Sequence, residues 1–198
     1  MAIDIVHDTQ FVFRKILDSM ARPGTVANVA GVASRIDTQL NCFHSTFLCA
    51  LTLLDSEVTF HVLPTGNSDL IDKISQYTLS KHVSVSEADF IIASKECSEQ
   101  EAADAIRQAK QGTLIDPNRS STIILEVESL TEKEGTVLTG PGIKTKSHFP
   151  FAFSKEMFIA REEKNKEFPM GIDLIITDSS GRLACIPRTA EMDLKEVH

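Results

Sequence analysis

Short apolar runs dense in β-branched residues alternate with helical segments along most of this chain, and that alternation limits the possible folds more than any other feature. Residues 57–63 alternate Val58, Phe60 and Val62 before Pro64, the pattern of a half-buried strand. Residues 88–94 (ADFIIAS) and 120–127 (SSTIILEV) are two further strands. Between them, Ser68 can cap a helix from Asp69 to about Leu79, with Leu70, Ile71, Ile74 and Tyr77 inward. Ser98 and Glu101 form a capping-box pair for a helix reaching Gln111, with Gly112 as its stop.

The flanks continue the theme. Residues 8–21 place Phe13, Ile16, Leu17 and Met20 at helical spacing, with Asp8 or Thr9 as cap and Pro23-Gly24 as the stop. An extended piece is expected at 25–32. Residues 41–54 are apolar nearly all round a helix, which predicts deep burial. A strand at 134–143 should run into a Gly-Pro-Gly turn, followed by a helix at 154–163 and a closing hairpin over 171–186. Together these elements predict a single α/β domain over 1–198, a three-layer sandwich around a mixed sheet.

Charge and cysteine content exclude several functions. A formal net charge of −8, with no basic cluster, argues against a nucleic-acid partner. The longest apolar run, around 47–54, is too short to cross a bilayer, and the first residues lack the apolar core of a secretory signal. Cys42, Cys49, Cys97 and Cys185 show no CxxC and no metal-ligand spacing, so they are expected to be structural thiols of a cytoplasmic protein. Cys42 and Cys49, seven apart, would share a helix face.

No familiar catalytic pattern is present. There is no G-x-S-x-G elbow, and the six histidines are scattered without metal spacing. Leu138–Ile143 (LTGPGI) offers Gly140 and Gly142 for close backbone approach to an anion, with Lys144 nearby; the same residues also make an ordinary turn. It has neither P-loop nor dinucleotide spacing. In the hairpin, Asp173 is an acid inside an apolar run, and Arg188-Thr189 stand at the far end. With a two- or four-residue loop, position 177 pairs with 182 and Asp173 falls opposite Ile186, with Arg188 diagonal on the same face. A type I turn with a glycine bulge shifts the register by one and sends Arg188 to the other face, unless Pro187 redirects the chain.

Several stretches together resemble the PhnH family, the H subunit of the bacterial carbon–phosphorus lyase system for phosphonate breakdown. They are "FPMGIDLIITDSSGRLACIPRT" (168–189), "LTGPGI", "FRKILDSMARPGT" (13–25) and "GTLIDPNRSSTIILEVESL" (112–130), in family order. Pro117-Asn118-Arg119 departs from the Pro-Glu pattern of the family. The resemblance implies a fold similar to the large domain of pyridoxal-phosphate-dependent transferases, without the cofactor. It implies a homodimer in isolation and assembly with subunits G, I and J. It also implies participation in displacing adenine from ATP by a phosphonate, giving a ribose 1-phosphonate 5-triphosphate. No catalytic residue, metal ligand or cofactor follows from it. Candidate ligand- or partner-contacting residues are Gly140, Gly142, Lys144, Gly171, Asp173, Arg188 and Thr189. The competing expectation is an autonomous nucleotide- or phosphate-binding transferase using residues 139–146 (TGPGIKTK).

Overall fold

A computed structural model describes residues 3–131 and 135–193. Along them run α1 (Ile5–Ala21), β1 (Ala27–Asn28), α2 (Ala30–Ala33), α3 (His44–Leu53), β2 (Thr59–Leu63) and α4 (Ser68–Thr78). Then follow β3 (Lys81–His82), β4 (Phe90–Ala93), α5 (Glu99–Gln108), β5 (Thr122–Val127), β6 (Val137–Thr139) and β7 (Ser147–His148). The last elements are α6 (Lys155–Lys164), β8 (Asp173–Asp178), β9 (Arg182–Ile186) and β10 (Glu191–Asp193).

Seven strands form one mixed sheet in the order β1-β9-β8-β5-β4-β2-β3, and β10-β6-β7 form a small second sheet. Strands β3, β2, β4, β5 and β8 are parallel, while β9 runs antiparallel to β8. Strand order reverses between β2 and β4: the chain steps outward from β2 to β3, then returns to add β4, β5 and β8 on the other side. Both faces are covered. Ile92, Ile124 and Ile175 pack with Val12, Phe47 and Leu70 of α1, α3 and α4. Ile91, Ile123, Leu174 and Ile176 pack with α5, α6 and the small sheet. A sheet buried on both sides needs apolar residues at consecutive positions, which is why these strands read as near-continuous apolar runs.

Several expected boundaries shift. Helix α1 begins a turn before the expected cap: Asp4 is its N-cap, accepting from the Val6 and His7 amides at 3.0 Å each. Asp8 lies inside the helix, buried, and pairs with Arg35 at 2.7 Å. The extended piece at 25–32 is a strand only at Ala27–Asn28 and then turns into α2. Helix α3 starts at His44, so Cys42 is outside it and does not share its face with Cys49. Asn67, not Ser68, caps α4. The Ser98–Glu101 capping box is present, but α5 ends at Gln108. The expected strand at 134–143 is β6 only at Val137–Thr139, and Glu134 lies outside the described residues. All four cysteines are free thiols, and burial holds those of Cys42, Cys49 and Cys185 well above the ordinary thiol range, making them unreactive.

The edge of the sheet carries a pH-sensitive contact. His61 and His82 stack at 4.9 Å between ring centroids, and His61 Nδ1 lies 2.7 Å from the Val83 carbonyl. The covered His82 Nε2 has no hydrogen-bond partner among the described residues. Burial, then the neighbouring His61, lowers the His82 pKa below 6.5. The unfolded chain therefore binds the proton more readily, so this term favours folding above about pH 6.5 and is lost as pH falls through that value. In His82→Gln, the thermal midpoint should lose part of its decline between about pH 7 and pH 5 relative to the parent.

Candidate functional site

Three of the residues singled out from the sequence, Gly171, Asp173 and Arg188, meet at the amino end of β8. Asp173 opens β8 beside Thr122, the first residue of β5. Its Oδ1 accepts from the Arg188 amide at 2.7 Å, and the Arg188 guanidinium lies along the carboxylate, with Nε 3.2 Å from Oδ2 and Nη2 bonded to the same oxygen. Nη1 of Arg188 donates to the Pro117 carbonyl at 2.6 Å. The register is the bulged one: Thr177 pairs with Leu183 and Leu174 with Ile186. Gly181, at φ +76°, supplies the left-handed position after Asp178-Ser179-Ser180. Asp173 and Arg188 meet all the same, because β9 ends at Ile186 and Pro187–Ala190 form a turn closed by the Ala190 amide on the Pro187 carbonyl at 3.0 Å.

That turn is held from below. Arg161, 1% exposed, donates through Nη2 to the carbonyls of Pro187 and Ala190, each at 3.0 Å. Burial lowers its pKa to about 10, while Glu162 and Asp173 act in the opposite direction. Asn165 accepts from the Ile172 amide at 2.9 Å and donates to the carbonyls of Ile172 and Arg188. A Cβ on Gly171 would stand 2.8 Å from Asn165 Oδ1, so glycine is needed for that contact.

The LTGPGI segment reaches the same end of the molecule. Gly140-Pro141-Gly142-Ile143 is a turn closed by the Ile143 amide on the Gly140 carbonyl at 3.2 Å. Gly142, at φ +81°, takes the position of a type II turn that demands glycine. Pro141 brings no N–H and the Ile143 amide is engaged, so few amides face outward here. A Cβ on Gly140 would lie 2.8 Å from the Thr189 carbonyl, and one on Gly142 would lie 2.3 Å from that of Ala21. Both glycines thus admit neighbouring backbone. Lys144 is exposed. The structure brings Gly171, Asp173 and Arg188 into one cluster and sets Gly140 against Thr189; Lys144 is not joined to them by a hydrogen bond.

The opposite end of the sheet holds the more open chemistry. A cavity of about 330 Å³ lies over the carboxyl ends of β4, β5 and β8, lined by Phe43, Lys95, Glu126, Glu128 and Ser179. A second, of about 400 Å³, shares Phe43 and Ser179 with it and is lined also by Ser34, His44, Ser45, Ser180 and Gly181. Glu126 is 5% exposed, and its two oxygens accept from the main-chain amides of Phe43 at 2.5 Å and Lys95 at 2.9 Å. Burial raises its pKa, and hydrogen bonds from Thr46 and those two amides work against the rise. Lys95 Nζ stands 5.8 Å from the centre of the Phe43 ring. Asp178, just before Ser179 in the chain, is fully buried: Oδ1 accepts from the amides of Ser180 and Arg182 at 3.0 Å, and Oδ2 from Leu130 N at 3.0 Å and Arg182 Nε at 2.6 Å.

None of these crevice residues is among the candidate contact residues read from the sequence. One signal was available. Glu126 is an acid inside Ile123-Ile124-Leu125-Glu126-Val127, as anomalous as Asp173 in its own run.

Comparison with known proteins agrees with the sequence resemblance. The chain matches the family model described as bacterial phosphonate metabolism protein (PhnH) over residues 2–193. It is 28% identical over 191 residues to the alpha-D-ribose 1-methylphosphonate 5-triphosphate synthase subunit PhnH of Rhizobium meliloti (strain 1021), covering 96% of this chain and 92% of the relative. It is 26% identical over 193 residues to the putative C-P lyase subunit protein HtxG of Stutzerimonas stutzeri, covering 96% and 88%. Matched over nearly its whole length by the family model and by both relatives, the chain belongs to the PhnH family of bacterial phosphonate metabolism proteins.

Proposed function

We propose that this chain is a subunit of a carbon–phosphorus lyase core complex, without catalytic activity of its own. The observation that carries the reading is the family match over residues 2–193 together with two relatives that are each named as a subunit. On this reading its partners are the G, I and J subunits, and it forms a homodimer in isolation. With those partners a phosphonate oxygen attacks C1 of the ATP ribose, the bond from C1 to the base nitrogen breaks, and adenine leaves. The product is a ribose 1-phosphonate 5-triphosphate. The fold is of the kind found in the large domain of pyridoxal-phosphate-dependent transferases, a likeness supported by a seven-stranded mixed sheet between helical layers.

Two features of the molecule support an assembly role. Asp173 and Arg188 are paired with each other, and the Arg188 and Arg161 guanidinium groups donate to backbone carbonyls. Helix α1 leaves Ile5, Val6, Phe13 and Leu17 exposed by 59, 72, 48 and 57%, a stripe suited to being covered by another chain. The alternative, an autonomous phosphate-binding transferase working through 139–146, has weaker support, because its turn offers few free amides. The two readings differ in one assay. The purified chain with ATP and methylphosphonate should release no adenine, and release by this chain alone would contradict a purely assembling subunit.

A further inference from the structure

We propose that the exposed apolar stripe of α1 is the face by which two copies of this chain meet, with their helices antiparallel across a twofold axis. This rests on the reading above only for the existence of a dimer; the face itself follows from α1.

The helix is fixed on one side and bare on the next. Asp8, Val12, Ile16 and Ser19 are buried along its inner face. Ser19 Oγ donates to the Thr25 carbonyl at 2.9 Å and accepts from the Cys185 amide at 2.9 Å, which ties α1 to β9. With about 3.6 residues per turn, Val6, Phe13 and Leu17 fall on one line, roughly a third of the way round from the buried face. Ile5 adjoins Val6 at one end. These four are between 48 and 72% exposed, and among the described residues nothing covers them. A ridge held rigid from behind loses little freedom when it is covered, which favours association.

Area is the first ground for a second copy. At about 150–200 Å² for a fully exposed side chain of this size, the four present roughly 400 Å² of apolar surface. About two-thirds of a homodimer interface is apolar. A contact built on the stripe therefore covers roughly 600 Å² on each copy, or about 1,200 Å² in all, the lower end of the range for stable interfaces.

Charge is the second ground, and it selects the occupant. The chain carries a formal net charge of −8, yet from Asp4 to Arg22 the acids Asp4, Asp8 and Asp18 are matched by Arg14, Lys15 and Arg22. Thr9 and Gln10, the residues a turn on from Val6, are uncharged. A copy of the same surface thus meets no like charge along the stripe. A partner chosen by charge finds nothing there to pair with. The twofold axis also sets opposite ends of the two helix dipoles side by side.

Sedimentation equilibrium on the full chain between about 1 and 100 μM tests the face. The parent should be a dimer in that range. Phe13→Glu and Leu17→Glu should each weaken it at least about hundredfold, because a twofold contact contains every substitution twice. Both positions are exposed, so circular dichroism should be unchanged. Ile115→Glu, which alters a 90% exposed residue outside α1, should leave the dimer intact. A dimer indifferent to both α1 variants overturns the face and leaves the homodimer standing, whereas a monomeric parent overturns both. If a monomeric parent co-purifies with the G, I and J subunits and Phe13→Glu does not, a different chain covers the stripe and the second copy is wrong. Capture of the parent but not Phe13→Glu by phosphatidylcholine–phosphatidylglycerol vesicles would assign the stripe to a lipid surface and overturn the proposal likewise.

Discussion

Asp178→Ala should destabilise the protein by about 3–5 kcal/mol, the cost of removing one member of a buried charged network. Asp178 is fully buried and receives four donors, three of them main-chain amides and the fourth the Arg182 guanidinium. Its own carbonyl accepts from Ser45 Oγ at 2.8 Å, which ties the hairpin to α3. Truncation leaves those amides without acceptors and Arg182 without its counter-charge. Asp178→Asn retains an acceptor oxygen and should lose less, about 1–2 kcal/mol. Urea unfolding of both variants measures the difference, and a loss below about 1 kcal/mol in the alanine variant would show that the hairpin is anchored elsewhere.

The second large effect concerns the pair at the opposite end of β8. Asp173→Asn and Arg188→Met should each cost about 3 kcal/mol, the lower part of the range for breaking a buried pair, because both side chains remain partly exposed. The double variant should be less unstable than the two losses summed, by about 2 kcal/mol of coupling. Arg188 also donates to the Pro117 carbonyl, so its single substitution should loosen the 113–119 segment as well. Faster amide exchange there in Arg188→Met but not in Asp173→Asn checks that separation. Full additivity in the cycle would mean that the carboxylate and guanidinium do not stabilise each other.

The sheet was legible because its strands are buried on both faces. Ile123-Ile124-Leu125 and Leu174-Ile175-Ile176 can only belong to a sheet with helices on each side, and the Ser98–Glu101 box fixed the start of α5. Helix starts set by less regular chemistry were harder to place. Asp8 resembles a cap, but Asp4 takes that role and Asp8 turns inward to Arg35, a partner from the turn after α2 that local sequence does not reveal. The Asp173–Arg188 contact was visible as a question of register. The bulged register forms, and the contact survives it because Pro187 ends the ladder and the chain turns back.

The crevice was hidden for a different reason. Its lining comes from segments 30–34, 42–45, 95, 126–128 and 179–181, far apart in sequence and brought together only by the fold. Glycines drew attention to 140 and 142, yet their freedom serves contacts with Thr189 and Ala21. An acid within an apolar run is the more useful signal here. It marks Asp173 at the amino end of β8, paired with Arg188, and Glu126 near the carboxyl end of β5, where it holds the amides of Phe43 and Lys95.

Membership of a multi-subunit complex is most directly tested by co-expression of this chain, carrying an affinity tag, with the G, I and J subunits. A stable assembly containing all four, recovered through the tag and by gel filtration, is the expected result. A tagged chain that elutes alone, while G, I and J are soluble and present, would contradict it.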